Sequence, residues 1–303
     1  MGAGHDHAHA HRDAADFGRA FAIGMALNLG FVAIEFVAGL QAHSVALVAD
    51  AGHNLSDVLG LLIAWGGAAI ARRPASMRFT YGWRRSTILA ALVNALLLLF
   101  ACGAIAWEAV RRLGAPPPVA GATVIAVAAI GIAVNAATAW LFARGRAGDI
   151  NIRAAYLHMA ADAGVSAAVV VAGLLVLATG IRLIDPLASL LVVAVILWGT
   201  WRLLRDAVAM VLDAVPPGVD AAGIAEMLRG LGGVSRLHDL HIWPISTTEV
   251  ALTARLVMPA GHPGDRFLHD VAHRLHEDFG IEHATLQIEL AGDNPCPMHA
   301  AAQ

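Results

Sequence analysis

The chain has 303 residues, 58% of them hydrophobic and 14% charged, with a mean hydropathy of +0.66, a composition that excludes an ordinary soluble globular protein and places most of the chain in lipid. The formal net charge is −3, and all 20 basic residues are arginine, so nothing here forms a nucleic-acid surface and no nucleic-acid partner is expected. Two cysteines, Cys102 in an apolar run and Cys296 near the C-terminus, exclude a disulfide framework.

Residues 1–16 hold no apolar segment of a signal peptide, so the first span is expected to direct insertion itself. They carry His5, His7, His9 and His11 with Asp6, a tract that can hold metal weakly near an entrance or serve as a dispensable tail. Apolar runs long enough to cross about 30 Å of hydrocarbon as helices follow at Phe17–Leu40, Val45–Ala71, Ser86–Val110, Val119–Ala143, Ala154–Thr179 and Leu183–Leu203. Arg12, Arg19, Arg72, Arg73, Arg78, Arg84, Arg85, Arg144, Arg146, Arg153, Arg202 and Arg205 fall on one side, against Arg111, Arg112 and Arg182 on the other. The positive-inside bias then puts both termini in the cytoplasm. After Asp213, Pro216, Pro217 and Gly218 mark a linker into a segment of soluble character. Periodicity predicts a helix at Ala221–Leu231, strands at Val234–Pro244 and Thr248–Met258, a helix at Asp265–Phe279 and a strand at Ala284–Leu290.

The expected fold is therefore an α-helical membrane protein of six transmembrane helices with a cytosolic α+β C-terminal domain of order α-β-β-α-β, the helices covering one face of the sheet. Its expected divisions are a His-rich tail at 1–16, a transmembrane domain at 17–212, a cytosolic domain at 213–291 and a flexible tail at 292–303.

Span two contains Asp50, His53 and Asp57, and span five contains His158 and Asp162. Both spans carry His-x-x-x-Asp, and a spacing of i to i+4 stacks the two side chains on one helical face. Two such helices offer two imidazoles and two carboxylates to a common point, a nitrogen and oxygen set that suits tetrahedral Zn²⁺ better than Ca²⁺ or Mg²⁺. Each ionised group at span centre costs about 2.5–3.5 kcal/mol on insertion scales, so two copies of the pair favour a metal site over structural polar contacts. Asp50, three residues before His53, can be a fifth ligand, a proton carrier or a partner for another helix. Asn28 and Glu35 share a face of span one and suit either a wet cavity or interhelical hydrogen bonds, while Glu108 beside Arg111 and Arg112 reads as an ion pair. Trp65, Trp107 and Trp140 near span ends read as an aromatic belt. In the C-terminal segment, His238 and His241 flank Asp239, and His269, His273 and His276 run along one helix, an arrangement open to two readings: a solvated surface or regulatory metal binding.

Taken together, ADAGHNLSD in span two, YGWRRSTILAALVNA at the start of span three, YLHMAADAGVS in span five, IDPLASLLVVAVILW in span six, and HDLHIWPIS with HATLQIE in the C-terminal segment resemble the cation diffusion facilitator family, most closely its bacterial zinc-efflux branch. The resemblance covers nearly the whole chain. It implies that His53, Asp57, His158 and Asp162 form the transport site, that the C-terminal domain has a metallochaperone-like fold and pairs two protomers, and that the membrane is the bacterial inner membrane. It also implies a cytosolic regulatory metal site to which His238, His241 and His283 correspond. Arg255 stands where many relatives have a histidine and Gln287 where some do, so such a site would be rebuilt from His238, His241, His283 and Glu289.

The expected activity is zinc export by proton antiport through alternating access, with zinc as transported substrate and possible regulator and no cofactor. Metal and H⁺ compete for the same ligand atoms, and histidine titrates near neutrality. An enzyme, such as an intramembrane metalloprotease, is disfavoured because no His-Glu-x-x-His stretch occurs and four protein ligands leave no open position for water. A zinc sensor or sink without transport is the alternative, and a channel would show flux that no opposing pH gradient drives uphill.

Overall fold

The computed structural model describes residue 26, residues 28–143 and residues 150–290, with the backbone alone for residues 61, 141–143 and 150–158. The histidine tract His5, His7, His9 and His11, Cys296 and the tail from 292 lie outside the described residues. Six apolar helices come first: α1 (Asn28–Gln41), α2 (Val45–Ala71), α3 (Ser86–Gly114), α4 (Gly121–Ala143), α5 (Ile150–Thr179) and α6 (Ile184–Val211). Five of them, α2 to α6, hold apolar stretches of 20 to 29 residues, long enough to cross a bilayer. The first expected span begins outside the described residues, and its remainder forms α1. Large apolar side chains lie exposed on these helices, with Trp198 at 86%, Phe100 at 79% and Trp65 at 74%, as a surface facing lipid requires.

The chain divides into two compact units, residues 1–62 with 94–201 and residues 63–93 with 202–303. In the first, buried Phe31, Leu47, Cys102, Val127, Val169 and Ile196 form a core shared by α1 to α6. The start of α2 is held by side chains rather than by the helix itself. The Ser44 hydroxyl accepts the Leu47 N–H at 3.1 Å and donates to the Asp185 carboxylate at the start of α6, whose other oxygen accepts the Val45 N–H at 2.7 Å. These contacts satisfy donors that a helix N-terminus leaves open. Helices α4 and α5 pack closely because their crossing is made of small residues: a Cβ on Gly173 would lie 2.8 Å from Ile125 Cγ1, and one on Gly121 3.2 Å from the Gly173 carbonyl.

Gly131 on α4 similarly admits the ring of Phe31, which a Cβ there would meet at 2.7 Å. Gly131→Val is expected to lower stability by about 1–3 kcal/mol through overpacking. Thermal unfolding in detergent would read this as an earlier transition, while Gly103→Ala, with nothing within 4 Å of its added Cβ, leaves the transition unmoved.

The second unit carries α7 (Ala221–Arg229), β1 (Arg236–Pro244), β2 (Val250–Val257), α8 (Asp265–Phe279) and β3 (His283–Glu289), the expected α-β-β-α-β order. Asp220 caps α7 by accepting the Gly223 N–H at 2.9 Å. Gly280, at φ +67°, ends α8 in the left-handed conformation that glycine adopts without penalty. The sheet order is β1-β2-β3, antiparallel between β1 and β2 and parallel between β2 and β3. Because successive strand residues point to opposite faces, Leu252, Ala254 and Leu256 meet Ile224 and Leu228 of α7 and Val271 and Leu275 of α8 in one buried core. Thr253 and Arg255 fall on the other face. The β1–β2 register shifts between His238 and His241, where Asp239 takes φ +55°, a bulge that redirects its side chain. Within the same unit, Arg85 just before α3 pairs with Asp213 at 2.6 Å, and Arg84 pairs with Glu249.

Candidate functional site

Helix α2 presents His53 and Asp57 one turn apart, and their Nδ1 and Oδ2 atoms lie 3.7 Å from each other. Asp162, on α5, approaches the other ring nitrogen, with His53 Nε2 3.3 Å from Asp162 Oδ1. One ligand atom from each of the three residues can be chosen so that all lie within 4.8 Å of one another, and among the described residues this is the one such group of three or more histidine, cysteine or carboxylate side chains. Bonds of about 2.0–2.2 Å to a tetrahedral zinc ion place ligand atoms about 3.3–3.6 Å apart, so a small inward adjustment brings the set to bonding distance. Asp162 is nearly buried, at 3% exposure, while Asp57 retains 23%. The group is thus open toward Asp57 and closed behind Asp162.

His158 lies one turn before Asp162 on α5, where its backbone is helical and its side chain lies outside the described residues. Asp50 is fully buried and stands apart from the converging trio. Its Oδ2 accepts a hydrogen bond from the Ser166 hydroxyl at 2.8 Å, tying α2 to α5 one turn beyond Asp162. Glu35, also fully buried, accepts the Asn54 amide at 3.0 Å, which ties α1 to α2. The Asn28 amide reaches Met159 Sδ at 3.9 Å. Of the two readings for Asn28 and Glu35, the structure displays interhelical contacts. Asn54 and Ser166 were not singled out in the sequence, although each sits four residues after a marked residue, Asp50 and Asp162. Glu108 makes the expected ion pair, 2.8 Å from Arg112 Nε and 3.8 Å from Arg111 Nη1.

The structure does not bring the three histidines considered for a cytosolic metal site to one point. His238 lies across from Arg255, and His241 across from Thr253, whereas His283 lies beside Ala251. At about 3.3 Å per residue, the four positions from Ala251 to Arg255 separate His283 from His238 by about 13 Å along the sheet. His283 instead has Arg84 Nη1 at 3.2 Å and the Tyr81 ring edge-on at 6.0 Å. On α8, His269, His273 and His276 are exposed, His269 and His273 with ring centres 6.4 Å apart, and His273 pairs with Glu277 at 3.2 Å.

Comparison with known proteins covers both halves of the chain. Residues 21–212 match the model of the cation efflux transmembrane domain, and residues 216–291 that of the cation efflux protein cytoplasmic domain. The chain is 36% identical over 298 residues to the zinc transporter ZitB of Escherichia coli, covering 98% of this chain and 94% of that protein. It is 35% identical over 304 residues to the metal cation efflux system protein CzcD of Cupriavidus metallidurans, covering 100% and 94%. A cadmium, cobalt and zinc/H(+)-K(+) antiporter of Bacillus velezensis is 32% identical over 296 residues, covering 96% and 93%. Among solved structures, the metal-bound C-terminal domain of the CzcD transporter from C. metallidurans matches 24% of this chain and all of that one, with 34% identity and a TM-score of 0.23. With two family models that together span residues 21–212 and 216–291, and relatives above 30% identity over almost the full length, the chain belongs to the cation efflux, or cation diffusion facilitator, family.

Proposed function

We propose that this integral membrane protein exports zinc, and divalent cations of similar ligand preference, from the bacterial cytoplasm in exchange for protons. The observation that carries the reading is the convergence of His53, Asp57 and Asp162 from two apolar helices. The activities named for the relatives, zinc transport, metal cation efflux and cadmium, cobalt and zinc antiport, support it. The fourth ligand is His158, whose place four residues before Asp162 repeats on α5 the spacing of His53 and Asp57 on α2. Imidazole and carboxylate together suit zinc. A site that held metal without moving it, as a sensor or sink, would not need relatives that are transporters along their whole length.

The coupling follows from the ligand atoms. Imidazole ligates only when neutral and carboxylate only when ionised, so metal and protons exclude one another from the same four groups. Zinc binds from the cytoplasmic side with loss of protons, the site opens to the other side, and protons there displace the metal. Each proton displaced per zinc lowers the apparent affinity about tenfold for each unit of acidification where the ligands are protonated. The same reading places both termini in the cytoplasm of a bacterium whose inner membrane holds the spans. It also pairs two copies through the cytosolic domain, as that domain's membership of the family implies.

The test is zinc uptake into proteoliposomes with an acidic lumen. Uptake against a zinc gradient that stops when a protonophore collapses the pH difference is the expected result. Zinc that binds but never enters would refute transport, and flux indifferent to the pH difference would refute antiport.

A further inference from the structure

Outside the membrane site, the open face of the C-terminal sheet gathers four side chains of metal-ligating type around one guanidinium. Asp239 Oδ2 lies 2.8 Å from Arg255 Nε, and Glu289 Oε1 lies 3.4 Å from Arg255 Nη1. The second oxygen of each carboxylate holds a histidine: Glu289 Oε2 is 2.8 Å from His238 Nε2, and Asp239 Oδ1 is 3.0 Å from His241 Nε2. All three strands contribute, β1 with His238, Asp239 and His241, β2 with Arg255 and β3 with Glu289. The bulge makes the arrangement possible, because a regular strand would turn the side chain after His238 to the helix-covered face. Asp239 at φ +55° brings it back to the Arg255 side. A non-glycine residue in that conformation is held there by its surroundings, and its carboxylate meets the guanidinium on one oxygen and His241 on the other.

We propose that Arg255 is the resident cation of this cluster and takes the position that a divalent metal would otherwise fill. The cytosolic sheet then keeps its geometry without bound metal, and transport is not switched on by metal at these residues. This rests on the zinc-transport reading above and says that the transporter's cytosolic sheet does not answer to metal at this cluster. Two physical points support the assignment. Arginine stays protonated at every working pH and presents a planar fork suited to two carboxylates. A divalent ion entering beside it would meet a fixed positive charge and would have to displace both carboxylates from their present partner. Removal of that charge leaves two carboxylates and two imidazoles, a set that suits zinc.

The full-length protein in detergent tests this by zinc content at fixed free zinc, measured for wild type, His238→Ala, Arg255→His and the double variant. Differences between variants cancel the contribution of the membrane site and of the N-terminal histidines. Wild type and His238→Ala are expected to hold equal zinc, Arg255→His to gain about one zinc per chain, and the double variant to lose that gain. Loss of about one zinc from His238→Ala alone would overturn the proposal, since the cluster would then bind metal with Arg255 in place. The absence of any gain in Arg255→His would also overturn it. The readout is binding rather than flux, so failure of the antiport reading leaves this result standing, and the wild-type comparison decides even where Arg255→His fails to fold.

Discussion

Asp162→Asn is expected to reduce gradient-driven zinc uptake by at least about 100-fold. Residues that merely orient a ligand typically cost 10–100-fold in metal affinity when replaced, and Asp162 is placed to be a ligand itself, with its oxygen 3.3 Å from His53 Nε2 and almost no exposure. The amide keeps the shape and much of the hydrogen bonding of the carboxylate but removes the charge that the proposed site would offer to zinc and to a returning proton. Asp57→Asn should act in the same direction, and the double variant should be little worse than either, because groups that serve one ion fail together. Initial rates across a range of zinc concentrations, with zinc binding measured on the same preparations, would check this. An Asp162→Asn protein retaining half its rate would place the transport site elsewhere.

The largest effect on stability is expected in the C-terminal domain from Leu252→Ala. Leu252 is fully buried in the central strand, between both helices and the sheet. Such truncations cost about 2–5 kcal/mol, a large share of the 5–15 kcal/mol that a whole domain typically has, and a three-stranded domain has little core to redistribute the loss. Limited proteolysis of the full-length protein during heating would show residues beyond 213 cleaved at lower temperature than in the wild type. Thr253→Ala, one residue along and on the opposite face, should shift that temperature little.

Much of this architecture was legible because lipid and helix impose strong patterns. The helix α8 occupies Asp265–Phe279 as read, since its apolar stripe is flanked by Gly264 and Gly280. Helix α5 begins at Ile150 rather than Ala154, and α6 runs to Val211 rather than Leu203. Hydropathy marks where a helix leaves hydrocarbon, whereas backbone hydrogen bonding continues into water, through Asn151 and Arg153 at one end and Arg205 and Asp206 at the other. Apart from Pro244, where β1 ends as expected, the strand ends lie one or two residues from those the pattern predicts, because pairing rather than side-chain pattern decides the boundary.

The grouping of His53, Asp57 and Asp162 was legible for a related reason. His-x-x-x-Asp places its own pair by helical geometry, and the cost of burying charge singles the residues out. What the sequence left open is what depends on a second helix: whether Asp50 meets a ligand or a hydroxyl, and that Asn54 reaches Glu35. The cytosolic histidines show the limit most plainly. His238, His241 and His283 look alike as a set, but strand register sends His283 to the far end of the sheet, and His238 and His241 meet Glu289 and Asp239, the carboxylates that Arg255 holds.

The glycine crossing of α4 and α5 has a bearing on movement. Gly121 and Gly173 let the two backbones come together with Val124, Ile125 and Leu177 filling the space beside them, so α4 and α5 form one closely packed body. His53 and Asp57 belong to α2, and Asp162 to that body. A motion that parted Asp162 from His53 would therefore be expected to carry α4 with α5 and to strain the hydrogen bond from Ser166 to Asp50.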